Sequence, residues 1–134
     1  KKPFLVVNYS NKQLVFSGKP KIILAHKMHG LPHIDCNGKY GISNRDNYVI
    51  IERTQKDFIK LSAFLSTSFC KYLFEATRYR MKYLEKYIFQ LLPDITLLVD
   101  FPVNITNDTV MNYFELDEKE RKHIIANENR DKYR

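Results

Sequence analysis

The chain has no tryptophan, only four glycines and only two cysteines among 134 residues. Each scarcity removes a class of function. The glycines are not clustered, so no loop cradles phosphate, and no Walker, Rossmann or kinase fingerprint is present. Cys36 and Cys70 cannot form a disulfide framework and point to free thiols in an intracellular protein, cytoplasmic if the source is bacterial. No apolar run is long enough to span a membrane, and no secretory signal is visible. No Gly-x-Ser-x-Gly elbow surrounds Ser62, Ser66, Thr67 or Ser68, which read as packing or solvated hydroxyls. The first residue is Lys1 rather than Met, so the chain reads as a piece of a longer one.

What is abundant is positive charge and aromatic surface. Lys and Arg number 22 against 15 Asp and Glu, a formal charge of +7, beside nine Phe and nine Tyr. That balance favours an anionic partner, and nucleic acid is the commonest one. A solvated basic surface without a partner is the competing reading. The richness in Lys, Asn, Tyr and Ile also fits an AT-rich coding genome, which raises lysine without functional cause.

The length suits one domain with a real core. Residues 1–53 read as strand-rich and residues 54–134 as mainly helical. Phe4–Tyr9, Gln13–Phe16, Lys21–His26 and Tyr48–Glu52 are short, β-branched or aromatic and predict strands. Lys27–His33 reads as a loop. Asn37-Gly38 predicts a hairpin turn, flanked by Pro32–Asp35 and Lys39–Ile42. Asn44–Asn47 predicts another turn. Thr54–Tyr79 carries Phe58, Leu61, Phe64, Leu65, Phe69, Tyr72, Leu73 and Ala76 at helical spacing, which predicts one long central helix capped by Thr54. Its apolar stripe is wide enough to be covered on more than one side. A second helix is expected over Arg80–Leu92, stopped by Pro93, then a strand over Ile95–Phe101. Thr106 or Asn107 caps a short helix. Asp117 caps the last one, with Glu120 completing a capping box, and Asn127–Arg134 is expected to fray. The expected architecture is α+β: a small, mainly antiparallel sheet packed on a long central helix, with further helices toward the C-terminus.

Three clusters carry possible chemistry. His26, His29, His33 and Cys36 are zinc-capable, but one cysteine in loose spacing fits a partner-facing loop better than a metal site. Asp94, Asp117 and Lys119 match the loose Pro-Asp then acid-x-Lys pattern of metal-dependent nucleases. That chemistry needs the second segment on a strand, whereas Asp117 sits at a helix start. The third cluster is basic and aromatic. Lys27, His29, His33, Lys39, Tyr40, Asn44 and Arg45 lie on two loops between short strands, where binding residues concentrate. Arg78, Arg80 and Lys82 follow the central helix. These ten residues are the candidate DNA-binding set, chosen by charge and loop position. Cations suit guanine O6 and N7 or phosphate, and Asn suits adenine. No catalytic residue and no metal ligand is expected.

Lys19-Pro20-Lys21-Ile22-Ile23, then Asp35-Cys36-Asn37-Gly38-Lys39-Tyr40, then Tyr48-Val49-Ile50-Ile51 resembles the C-terminal target-recognition domain of adenine-specific DNA methyltransferases. The similarity is to the TaqI-like group, which includes fused restriction–modification enzymes. It continues through Leu61–Thr67, where Ser66 and Thr67 stand in place of the usual Asn-Ser, and through Leu92-Pro93-Asp94-Ile95 and Tyr113-Phe114-Glu115-Leu116. Order and spacing carry the match over Lys19–Ile125. The resemblance implies a module that docks on double-stranded DNA and reads a short site for a catalytic domain of the same chain. That domain would bind S-adenosylmethionine and flip the target adenine. Its Asn-Pro-Pro-Tyr motif and glycine-rich cofactor loop are absent here, so these 134 residues alone imply no methyl transfer. A subunit-docking domain of such a complex is the alternative, and a small metal-dependent nuclease the third.

Overall fold

A computed structural model describes residues 7–26, 31–43, 47–77 and 86–130. Three strands, β1 (Lys21–Ala25), β2 (Pro32–Asp35) and β3 (Asn47–Ile50), form an antiparallel sheet in the order β2-β1-β3. Among the described residues, five helices follow: α1 (Gln55–Leu65), α2 (Ser68–Thr77), α3 (Ile88–Leu91), α4 (Asn107–Tyr113) and α5 (Glu118–Arg130). The class is α+β, as the sequence predicts. Residues Lys21 to Leu24 are all buried, because β1 is central, with a strand on each side. Ile22 and Leu24 enter the core with Phe58, Leu61, Phe64, Leu65 and Phe74 from α1 and α2.

The expected long helix is two helices. The break falls at Ser66 and Thr67, whose hydroxyls compete with the helical ladder. Ser66 Oγ donates to the Ser62 carbonyl at 2.7 Å, and Thr67 Oγ1 donates to the Phe64 carbonyl at 2.7 Å. Thr67 Oγ1 also accepts the Cys70 amide at 3.4 Å, which starts α2 anew. Asn107, at the first turn of α4, accepts the Ser68 amide at 2.9 Å. The break is therefore anchored from 39 residues away. Thr54 caps α1 as expected, accepting the Asp57 amide.

Other expectations need correction. Ile95–Phe101 is not a strand. Asp94 accepts both the amide and the hydroxyl of Thr96, which closes a single 3-10 turn over Ile95–Leu97. Gln13–Phe16 contributes one isolated bridge, Val15 to Ile42, because tight turns close from Leu14 to Ser17 and from Phe16 to Lys19. Val7–Tyr9 is exposed and irregular, and Phe4–Val6 lies outside the described residues. Asn37-Gly38 does form a turn, but its flanks do not pair with each other. β2 pairs with β1, in the register Lys21 to Asp35, and Ile42 pairs with Val15. Pro32 and His33 belong to β2 rather than to a loop. β3 ends at Ile50, before Glu52 turns into the left-handed region. Of the helix expected over Arg80–Leu92, the described part is α3 alone, entered by a turn at Lys86-Tyr87. Thr106 caps α4 in a capping box with Thr109. Asp117 and Glu120 form the reciprocal pair expected at the start of α5, each bond 2.8 Å. Asn127–Arg130 continue that helix rather than fray.

Aromatic side chains fasten the C-terminal helices to α1 and α2. Phe69 stacks on Phe114 at 4.8 Å, and Phe64 meets Phe101 edge-on at 5.7 Å. Phe101 also meets Tyr113 at 4.8 Å. Such ring pairs add about 0.5–1.5 kcal/mol each beyond the area they bury. On the far side, Glu128 of α5 accepts from Ser68 and Lys71 of α2, so the last helix lies along the second.

Candidate functional site

Two surface turns are tied together by a buried ion pair. Lys21 Nζ lies 2.7 Å from Asp35 Oδ2, with the side chains 0% and 3% exposed. A buried charge is tolerable only when its hydrogen-bonding capacity is filled. Lys21 has three protons and donates to Asp35, to the Phe16 carbonyl at 3.1 Å and to the Lys19 carbonyl at 3.1 Å. Asp35 accepts the Lys39 amide on Oδ1 at 2.8 Å and the Tyr40 amide on Oδ2 at 3.0 Å. Burial pushes the Asp35 carboxyl up. The Lys21 hydrogen bond, the two amides and the Lys21 charge together outweigh it and hold the group below its ordinary value.

The pair thereby ties two turns together, residues 16–19 and 36–40. The turns also touch directly. Gly18 donates its amide to the Gly38 carbonyl at 2.9 Å, and a Cβ on Gly38 would lie 2.4 Å from the Gly18 carbonyl carbon. Gly38 has φ +66° as well, so glycine is required there twice over.

On this frame sit three of the ten predicted DNA-binding residues. His33, on β2, meets the Tyr40 ring edge-on at 6.1 Å, and the Lys39 ammonium lies 5.5 Å from the Tyr40 ring centre. Lys39 is exposed, while His33 and Tyr40 are half-buried. The other seven, Lys27, His29, Asn44, Arg45, Arg78, Arg80 and Lys82, lie outside the described residues. Lys19 is an exposed cation on the partner turn that charge and loop position did not single out. Its neighbourhood to Lys39 depends on the Gly18–Gly38 approach, which joins residues twenty apart and has no local signature.

The other sequence candidates do not converge. His26 packs edge-on against Tyr48 at 5.2 Å, whereas His33 packs on Tyr40; His29 lies outside the described residues. Among the described residues, no three His, Cys, Asp or Glu side chains gather as metal ligands. Asp94 is held by Thr96 and by Arg53 at 3.1 Å, and Asp117 is spent on the α5 cap. A cleft of about 550 Å³ runs between β3 and the segment 86–94. Tyr48, Phe89 and Leu92 line it, and the Arg53–Asp94 pair stands at its rim. Among the described residues, no helix is long and apolar enough to cross a membrane. Set against family models, curated proteins and solved structures, the chain matches none.

Proposed function

We propose that this chain is a module that recognises double-stranded DNA for an adenine-specific DNA methyltransferase or a fused restriction–modification enzyme. Methyl transfer, with its S-adenosylmethionine, belongs to a catalytic domain not contained in these 134 residues. One observation carries the reading. Asp35–Tyr40, a segment on which the resemblance rests, forms a braced turn that exposes Lys39 and sets the half-buried Tyr40 and His33 beside it. A cation and a phenol on a braced turn, with an imidazole on the adjoining strand, suit phosphate contact and base-edge reading better than a floppy lysine does. The charge of +7 supplies the long-range attraction.

The test is a titration of fluorescein-labelled duplex DNA with the purified chain at several salt concentrations. Affinity is expected to fall as salt rises, with a logarithmic slope of about −0.9 for each phosphate contacted. Absence of binding at low ionic strength, or binding indifferent to salt, overturns the reading.

A second reading, docking to a protein subunit of such a complex, draws on a different surface. Leu97, Val99 and Val103 expose most of their side chains along one stretch after α3. These aliphatics favour a protein neighbour over a nucleic acid.

A further inference from the structure

We infer that Lys19 and Lys39 form one phosphate-binding edge on duplex DNA, held in register by the buried Lys21–Asp35 pair. This rests on the DNA reading and deepens it, because it names a second binding cation and the groups that position both. The geometry is a double clamp. Lys21 grips the backbone of the first turn through the carbonyls of Phe16 and Lys19, so the Lys19 main chain is fixed by a side chain two residues away. Asp35 grips the second turn through the amides of Lys39 and Tyr40. One ion pair thus fixes the backbone at both exposed lysines. Between them the main chains close up, with the position of a Gly38 Cβ only 2.5 Å from the Lys19 nitrogen.

Chemistry favours phosphate as the ligand of this edge. Lysine is a compact point charge that suits phosphate oxygens without demanding a planar partner. Asp35 is buried, and both of its oxygens are taken by Lys21 and by the amides of Lys39 and Tyr40. A fixed backbone leaves only the lysine side chains to be ordered on binding, which reduces the entropic cost of contact. Lys21 and Asp35 are positioning residues here; neither reaches solvent.

The experiment compares the chain with Lys19→Ala, Lys39→Ala, the two combined, and the paired substitution Lys21→Met/Asp35→Leu, titrated with labelled duplex DNA across a salt series and melted in parallel. Each lysine removal is expected to lower the salt slope by about 0.9, and the two together by about 1.8. The paired substitution removes no solvent-facing charge. It is expected to keep the slope while weakening binding about tenfold, as the two turns lose their common brace. Amide hydrogen exchange at Lys39 and Tyr40 is expected to quicken in that variant. If it fails to fold, Lys21→Met/Asp35→Asn, which also leaves no unpaired buried charge and keeps one amide acceptor, replaces it in the same exchange and titration. A normal slope in Lys19→Ala beside a reduced one in Lys39→Ala overturns the inference and leaves the DNA reading standing. Unchanged affinity in a folded clamp variant overturns the positioning role. No DNA binding by the unaltered chain removes both.

Discussion

Lys21 and Asp35 are direct partners in the antiparallel register of β1 and β2, and their side chains close the same rung that their backbones form. The sheet's register and the conformation of two surface turns therefore depend on one contact. Slipping the strands by one residue would place Lys21 opposite an apolar residue and send its neighbours to the wrong face.

Removing one partner of that pair is expected to cost far more than breaking an exposed one. Asp35→Ala leaves a buried ammonium without its counter-charge, at about 3–5 kcal/mol. Arg53→Ala breaks a pair 3.1 Å long whose side chains are 36% and 28% exposed, at about 0.2–1 kcal/mol. Replacing both Lys21 and Asp35 with Met and Leu strands no charge but leaves the Phe16 and Lys19 carbonyls and the Lys39 and Tyr40 amides without these partners, so its cost is expected to fall between those two. Urea denaturation of the three variants checks the ranking. Equal losses in Asp35→Ala and Arg53→Ala would mean that the pair is not the anchor described.

Stability is expected to fall in acid below the ordinary carboxylate range. Burial raises the carboxyls of both Asp35 and Asp94, but stronger opposing contacts hold each below its ordinary value of 3.8. For Asp35 these are Lys21 and the Tyr40 and Lys39 amides. For Asp94 they are the Thr96 hydroxyl and amide, then Arg53. A carboxyl whose folded pKa is depressed binds its proton less readily in the folded state. Its contribution is therefore complete above the unfolded value and is lost as pH drops through the folded one. Urea midpoints from pH 7 down to about 3 are expected to stay flat for these two groups until near pH 4, then decline. A variant with Lys21→Met/Asp35→Leu loses part of that decline, and an unaltered acid profile in it would exclude Asp35 as a source.

The two thiols should behave oppositely. Cys70 is fully buried in the core, and burial pushes its pKa up to about 12 against a weaker opposing contact from Thr67. Cys36 is exposed at the start of the 36–40 turn. A chromogenic disulfide reagent at pH 8 is expected to modify Cys36 quickly and to reach Cys70 only in denaturant. Two thiols reacting at one rate would contradict the burial of Cys70.

The break between α1 and α2 shows where sequence was legible and where it was not. Helical periodicity identified Phe58, Leu61, Phe64 and Leu65 as core, and all four are buried. The caps at Thr54, Thr106 and Asp117 were readable because capping is local. Helical periodicity runs through Ser66 and Thr67 and predicts one continuous helix. Their breaking role depends on Asn107, which no local pattern connects to Ser68. Likewise Ile95–Phe101 has the residues of a strand, yet no partner strand exists beside it among the described residues, and Leu97 and Val99 face solvent. Lys21 opens a strand that the sequence predicts, but nothing local pairs it with Asp35, 14 residues away. Of the candidate binding set, charge and loop position named Lys39, Tyr40 and His33, which the structure brings together, and did not name Lys19 across the turn contact. Thr67→Val tests the break directly. It deletes the hydroxyl that accepts the Cys70 amide, and is expected to cost about 1–3 kcal/mol in thermal or urea melts. A stabilised variant would show the break to be tolerated rather than required.

The two readings of the surface make opposite demands on the stretch after α3. Leu97, Val99 and Val103 are 77%, 102% and 89% exposed, so they contribute almost nothing to the core. Changing all three to serine is expected to alter stability by only a few tenths of a kcal/mol per site, within the ordinary range for surface substitutions. If the DNA-contacting surface is the edge of Lys19 and Lys39, duplex affinity and its salt slope should be the same in this variant as in the unaltered chain, because no cation has been moved. If instead this aliphatic stretch faces a protein subunit, the variant should lose co-elution with that subunit while DNA binding persists. A fall in DNA affinity without a fall in melting temperature would place the nucleic acid against the aliphatic stretch, and would move the interface away from the turns that Lys21 and Asp35 brace.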